Sequence, residues 1–437
     1  MRVRRMILHF NPTNYQRIEN PRRIDTSASG ASFATSTGDI VEASAYGPGV
    51  FRIRIGPNAR PDYGIVVAKA KPCEVTQRSD DVTTLTSGEA MLELSGGPLR
   101  FRLSWEGQVV VESITDQHVR GFTRLPAFGR IREGGEWTAG IALTSGEPVY
   151  GLGEKFGPLD KRGQLVHSQV DGALGVNIGL SYKNTPFAWS PGGRRGAWGV
   201  FAHTPGRVAH GVGHPDWSHR TYALVVDDEA LDLFLFAAKT PADILALYTD
   251  LTGRAPAVPR WSLGLWVSRA YYKTPEEAIE VAKQLRERRI PCDVITLDGR
   301  AAWDTRTRFD FRWDPARLAD AKASLAALHA QNLRVCVWEY PLVSIHGRLF
   351  AELFARDFLL TTTQGDPYVM SWDTSSATSP SGNVATLPPE SGIVDFTNPQ
   401  AYAWWRDAHR TLFEEGVDVI TSDFGEQVPD DAGASNG

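Results

Sequence analysis

The sequence predicts a multidomain protein, an N-terminal β-sandwich followed by an α/β region built of repeated strand–helix units. Three observations carry this. The chain has 437 residues, beyond the size at which a single hydrophobic core stops growing. Up to about residue 235, short alternating runs are separated by Gly, Pro, Asn and Asp, as in antiparallel sandwiches. From Trp261 onward, nearly continuous apolar strands alternate with amphipathic helices, as in parallel sheets buried on both faces. The expected boundaries are 1–240 for the sandwich, 241–260 for a helix and linker, and 261–437 for the α/β region.

Within the first region the strands read "GVFRIRIGP", "AMLELSGG", "LRFRLSW", "QVVVES", "WGVFAHT" and "YALVVD". Phe51, Ile53 and Ile55 alternate with Arg52 and Arg54, the period of a half-buried strand. "TPADILALYTDLTG" predicts a short helix ended by Gly253, followed by the Pro-containing connector "RAPAVPRW".

The second region opens with "WSLGLWVSR" as a strand and "TPEEAIEVAKQLRERRI" as a helix. Thr274, Pro275 and Glu277 stand where an N-cap, a first-turn proline and the acid of a capping box belong. "CDVITLD" and "RVCVWEYP" are strands, with a helix from Asp314-Pro315 between them. An irregular segment leads to a helix from Asn398-Pro399, closed by Gly416, and then to "VDVITSDFG". Ala401, Trp404, Trp405, Ala408 and Leu412 recur at helical spacing. Four strands are thus expected, beginning near 261, 292, 334 and 417. A closed (β/α)₈ barrel needs eight. An open doubly wound sheet fits the alternation too, although no GxGxxG follows any strand.

Composition narrows the function. Hydrophobic residues are 42% and charged residues 22% of the chain, ordinary for a globular protein. A net charge of −5 argues against a dedicated nucleic-acid binder. Cys73, Cys292 and Cys336 have neither metal-site spacing nor the density of a disulfide framework. His210, His214 and His219 fall in a Gly-rich stretch and read as surface residues. No run approaches the roughly 18 apolar residues of a membrane span, and the expected location is cytoplasmic.

A parallel barrel carries its chemistry at the C-terminal ends of its strands. Those ends read Arg269, Asp298, Glu339 and Asp423, with Trp266, Trp303 and Trp338 close by. Carboxylates accept hydrogen bonds from hydroxyls and indole faces cover the apolar side of a sugar ring, which suits a polyhydroxylated ligand. Capping a neighbouring helix or pairing with an arginine is the competing role for any one of these acids. "DFG" at 423–425 also occurs in protein kinases, but no HRDxxxxN motif, phosphate loop or β3 lysine accompanies it.

The ordered set "LGLWVSR", "CDVITLD", "RFDFRWDP", "RVCVWEYP", "GIVDFTNPQA" and "VDVITSDFGEQVP" resembles the glycoside hydrolases of family 31, a family of α-glucosidases, α-xylosidases and related enzymes. "VYGLGEKFGPL" and "DGALGVNIGLSYKNTPFAWS" resemble the sandwich that precedes the barrel there. The resemblance runs from about residue 45 onward and implies the first half of a (β/α)₈ TIM barrel, strands one to four. It implies a retaining α-glycosidase with two carboxyl groups about 5 to 5.5 Å apart. Asp423 matches the nucleophile and Asp298 the acid that binds hydroxyls of the cleaved sugar. Trp338 matches an aromatic of that subsite, and Asp171 a loop reaching over the barrel mouth. Trp303, Arg300 and Glu339 are further candidates for substrate binding. Asp395 is expected to be a buried structural acid and Glu426 to support the nucleophile.

The sequence departs from the family pattern. Ser422 stands where a lysine often precedes the nucleophile, Gly299 and Arg300 replace a Cys-aromatic pair of the α-xylosidases, and Glu339 replaces a neutral residue. The family's acid/base aspartate belongs to a later βα unit, past Gly437, so the resemblance implies a C-terminally truncated member. The alternative is a non-catalytic carbohydrate-binding or decayed homologue. No metal or other cofactor is expected. The expected partner is an oligosaccharide or glycoside, with neither nucleic acid nor membrane, and homo-oligomer formation stays open.

Overall fold

The computed structural model describes residues 15–57, 63–115, 125–132, 134–170, 179–192, 195–269, 272–303, 307–371, 389–425, 428–429 and 431–436, with the side chains of Arg300 and Ala301 excepted. The chain divides into two compact units, Met1–Ala255 and Pro256–Gly437.

Among its described residues the first unit is all-β apart from one helix. Its described strands form antiparallel sheets of eight, six and five strands. The eight-stranded sheet runs from Tyr150–Gly151 through Phe187–Ser190, Ala197–Ala202, Leu231–Ala238, Val50–Gly56, Ile40–Gly47 and Gly30–Ala34 to Arg22–Ser27. Phe51, Ile53 and Ile55 point into the sandwich core, where all three are fully buried. The opposite face is covered too, against the expectation of a half-buried strand. Arg52 forks onto Asp232 at 2.8 and 2.6 Å, and Arg54 pairs with Glu42 at 2.7 Å. His203 Nδ1 also bonds Asp232, at 2.9 Å, so this buried acid is met by two opposite charges or donors.

The helix Pro241–Thr252 begins in a formed capping box, with Thr240 and Asp243 each bonding the other's backbone N–H. Its Ile244 and Leu251 are buried in a cluster with Phe187, Phe201 and Phe236. The helix, set apart from the sandwich in the expected boundaries, packs within the first unit. His210 also differs from expectation. It lies in the strand Arg207–Val212, fully buried, between the Ser168 hydroxyl at 3.0 Å and the Tyr222 hydroxyl at 2.8 Å. Burial, with the nearby positive charges of Lys155 and His167, pushes its imidazole down to about 3.

In the second unit four parallel strands pair in sequence order: Trp266–Arg269, Val294–Leu297, Arg334–Glu339 and Val419–Ser422. The first is shorter than the apolar run predicts, because Arg260–Leu263 forms a 3₁₀ turn. The strand–helix alternation holds, with changes at the helix starts. Thr274 makes no side-chain cap, and Glu277 Oε2 accepts instead from the backbone of Lys273 at 2.8 Å. The helix expected from Asp314 starts only at Ala321, capped by Asp320. Asp314 is held in a turn, its carboxylate accepting from Ala316 N and paired with Arg317 at 3.1 Å. Asn398 caps Pro399–Ala408 as expected. A second short helix, Arg410–Glu415, follows and stops at Gly416, whose φ of 115° lies in the region glycine enters without steric cost.

Between the third and fourth strands the segment expected as irregular contains a small antiparallel sheet, with Ser391–Ile393 between Leu342–Ser344 and Val369–Met370. Asp395 beside it is buried, as expected for a structural acid. Cys292 and Cys336 are buried free thiols and Cys73 is half-buried. Among the described residues no helix is long and apolar enough to cross a membrane.

Candidate active site

The site is set by alternation at the ends of the third and fourth strands. Glu339 pairs with Ser422 and Trp338 with Thr421 across the parallel ladder. Neighbours along a strand face opposite sides, so Trp338 shares a face with Asp423, while Glu339 shares the other with Ser422. The contacts follow that division. The Trp338 indole Nε1 donates to Asp423 Oδ2 at 2.9 Å, and Ser422 Oγ donates to Glu339 Oε1 at 2.5 Å. The backbone joins the two strand ends, with Asp423 N donating to the Glu339 carbonyl at 2.9 Å.

Asp423 is exposed, and its Oδ1 accepts from Phe424 N at 3.1 Å. Phe424 has a φ of 57°, an uncommon conformation for a bulky residue. Residues held there against a steric penalty cluster at functional sites. The positive φ turns the chain sharply after Asp423, and the Phe424 ring meets Trp338 and Tyr340 edge-on.

Trp338 is nearly buried. Its ring lies so close to Gly299 that an added Cβ there would come within 2.7 Å of Cε3. Gly299 is thus required by close approach. Asp298 is half-buried at the end of the second strand, and its Oδ1 accepts from Gly299 N at 2.7 Å. It caps the short helix Gly299–Ala302.

Two expected binding residues take other roles. Trp303 is fully buried, stacked on Trp313 at 4.9 Å, with Nε1 donating to the Trp338 carbonyl at 2.7 Å. Its ring has no open face for a sugar, and it supports Trp338 from behind. Glu339 is also buried, with one oxygen on Ser422 and the other 2.6 Å from His409 Nε2. It faces the helix layer, the side away from Asp423. Arg269 is exposed and lies 3.8 Å from Glu277. Asp171 and Glu426 lie outside the described residues, as does the side chain of Arg300.

Sequence reasoning missed His409. It sits 70 residues from Glu339, and only the fold brings the two together. Its one sequence signal is its place beside the apolar stripe of its helix, next to Ala408 and one turn after Trp405. Burial works against a charge on His409, but the hydrogen bond and negative charge of Glu339 outweigh it and raise the imidazole above its ordinary value.

Comparison with known proteins places this geometry in a family. Residues 255–436 match the family 31 glycosyl hydrolase TIM-barrel domain. Residues 40–209 match the N-terminal galactose mutarotase-like domain of glycosyl hydrolase 31. An alpha-xylosidase of Lactiplantibacillus pentosus is 31% identical over 359 residues, 80% of this chain and 43% of its own length. Alpha-glucosidase 2 of Bacillus thermoamyloliquefaciens is 29% identical over 411 residues, 90% of this chain and 47% of its own. Among solved structures, a family 31 dextranase of Flavobacterium johnsoniae complexed with glucose superposes with a TM-score of 0.81 at 20% identity, covering 97% of this chain and 50% of that one. The chain therefore spans about half the length of these relatives. A β-sandwich and the first four strands of a (β/α)₈ barrel, matched in the family's own domain order, show that the chain belongs to glycoside hydrolase family 31.

Proposed function

We propose that the complete protein is a retaining α-glycosidase in which Asp423 is the nucleophile. The observation that carries this reading is the setting of Asp423 at the C-terminal end of the fourth parallel strand, its two oxygens bonded to Trp338 Nε1 and Phe424 N. Enzymes of this fold do their chemistry at that face. Asp423 would attack the anomeric carbon and form a glycosyl ester as the bond to the aglycone breaks. A second carboxyl group protonates the departing oxygen, then takes a proton from the water that cleaves the ester. In the family the resemblance points to, that second group belongs to a later strand–helix unit of the barrel. Two inversions at one carbon leave the α configuration unchanged.

Trp338 and Asp298 would line the subsite of the cleaved sugar. Relatives named alpha-xylosidase and alpha-glucosidase support short α-xylosides or α-glucosides as the substrate class. Three free cysteines fit a cytoplasmic enzyme of carbohydrate metabolism. The test uses the full-length protein on an aryl α-glycoside. Asp423→Ala should lower kcat by about a thousandfold or more, and NMR of the first-formed sugar should show the α anomer. An unimpaired variant or a β product would contradict the reading.

A further inference from the structure

Among the described residues the hydrogen bonds of the Glu339 side chain go to Ser422, on the strand that leads to Asp423, and to His409. One oxygen takes the Ser422 hydroxyl, the carbonyl takes Asp423 N, and the other oxygen meets His409 Nε2 at 2.6 Å. The second ring nitrogen of His409, Nδ1, lies 2.8 Å from the Trp405 carbonyl. A carbonyl only accepts, and so does a carboxylate. A neutral imidazole has one N–H and would leave one of these two contacts without a proton. The imidazolium has two and satisfies both.

We infer that His409, Glu339 and Ser422 form a proton-dependent positioning device, in which the His409 imidazolium locks the Glu339 carboxylate and Glu339 fixes the strand end that presents Asp423. The inference rests on Asp423 being the nucleophile. It adds three residues that do not touch substrate and act through Asp423 and Trp338.

The surroundings make the device sensitive to one proton. The rings of Phe309, Phe311 and Trp405 pack around His409 at 6.0, 5.0 and 6.1 Å, so little water competes for its hydrogen bonds. Among the described residues, Glu339 from the third strand is the charged group that faces it. Ser422 from the fourth strand brings only a hydroxyl, and on the two helices that meet at His409 the surface residues Arg406 and Arg410 each pair with Asp407. His409 is held above its ordinary value by Glu339, against the effect of burial. The lock is therefore closed while His409 is protonated and opens as pH rises through the His409 transition. Once the imidazolium is lost, either Trp405 or Glu339 loses its donor. Glu339 can then swing, and with it Ser422 and the backbone that aims Asp423.

The test reads the Trp338 indole, whose N–H is bonded to Asp423. The full-length protein is labelled with 5-fluorotryptophan and the Trp338 fluorine signal is assigned by Trp338→Phe. The expected result is a shift of that signal with the same midpoint as the His409 ring titration. Glu339→Gln should move that midpoint to lower pH. Ser422→Ala, a mild change at an exposed position, should displace the signal and weaken its pH response. In kinetics Glu339→Gln should lower kcat about 10- to 100-fold with little change in KM and move the alkaline limb of kcat to lower pH. A Trp338 signal that ignores the His409 titration, or that is the same in Ser422→Ala, would overturn the inference. If no α-glycoside is turned over, the proposed function fails, while the fluorine titration still decides whether the three residues govern the Trp338–Asp423 contact.

Discussion

Trp338 Nε1 reaches across two adjacent barrel strands to Asp423 Oδ2 at 2.9 Å, and so joins an aromatic wall to the carboxylate beside it. The wall is supported in turn. Trp303 donates to the Trp338 carbonyl, and Gly299 leaves the indole room to lie against the backbone. The ring that bonds Asp423 is itself held by groups that need never meet a sugar.

Trp338→Phe keeps a ring and removes the donor. A hydrogen bond to a charged group is worth about 1.5 to 3 kcal/mol. The variant of the full-length enzyme should therefore lose about 10- to 100-fold in kcat and stay folded by circular dichroism. Unchanged kcat would show that the bond does not serve turnover.

Gly299→Ala places a methyl group 2.7 Å from Trp338 Cε3. The ring must move or the strand end must shift. Overpacking of this kind costs about 1 to 3 kcal/mol, to be read as a lower urea midpoint. Activity should fall with it, because the same ring holds Asp423.

Asp395 accepts four hydrogen bonds, from the backbone and hydroxyl of Thr397 and from those of Ser435. Burial alone would raise its carboxyl, but the donors of Ser435 and Thr397 outweigh it and hold the group below the usual aspartate range. A group depressed on folding stabilises above its unfolded pKa of about 4 and loses that contribution as pH falls through the folded value. Asp395→Asn should cost about 2 kcal/mol at neutral pH. The deficit should shrink on acidification, as followed by urea unfolding across that range. A deficit constant with pH would contradict the assignment.

The architecture was legible where patterns are local. Apolar runs that end in Asp298 and Asp423 located the second and fourth strands, and Gly416 marked a helix end. Helix starts were less legible because the same residue types serve turns. Thr240 and Asp243 form a capping box, whereas Thr274 and Glu277 have the same spacing and do not. The site divided along similar lines. Trp303 and Trp338 look alike in sequence, both near strand ends. Only packing shows that Trp303 stacks on Trp313 inside the core while Trp338 touches Asp423. Glu339 was legible as a strand-end acid, but its direction was not, because that depends on a histidine 70 residues away.

The measurement that tests the central claim most directly is covalent trapping of the nucleophile. The full-length protein is incubated with a 5-fluoro-α-glycosyl fluoride, whose leaving group departs as fluoride without help from an acid, and the digest is read by mass spectrometry. The account predicts one fluoroglycosyl unit esterified to the peptide that contains Asp423, and none in Asp423→Asn. Hydrolysis of α-glycosides with the label on another carboxylate, such as Asp298, would contradict it.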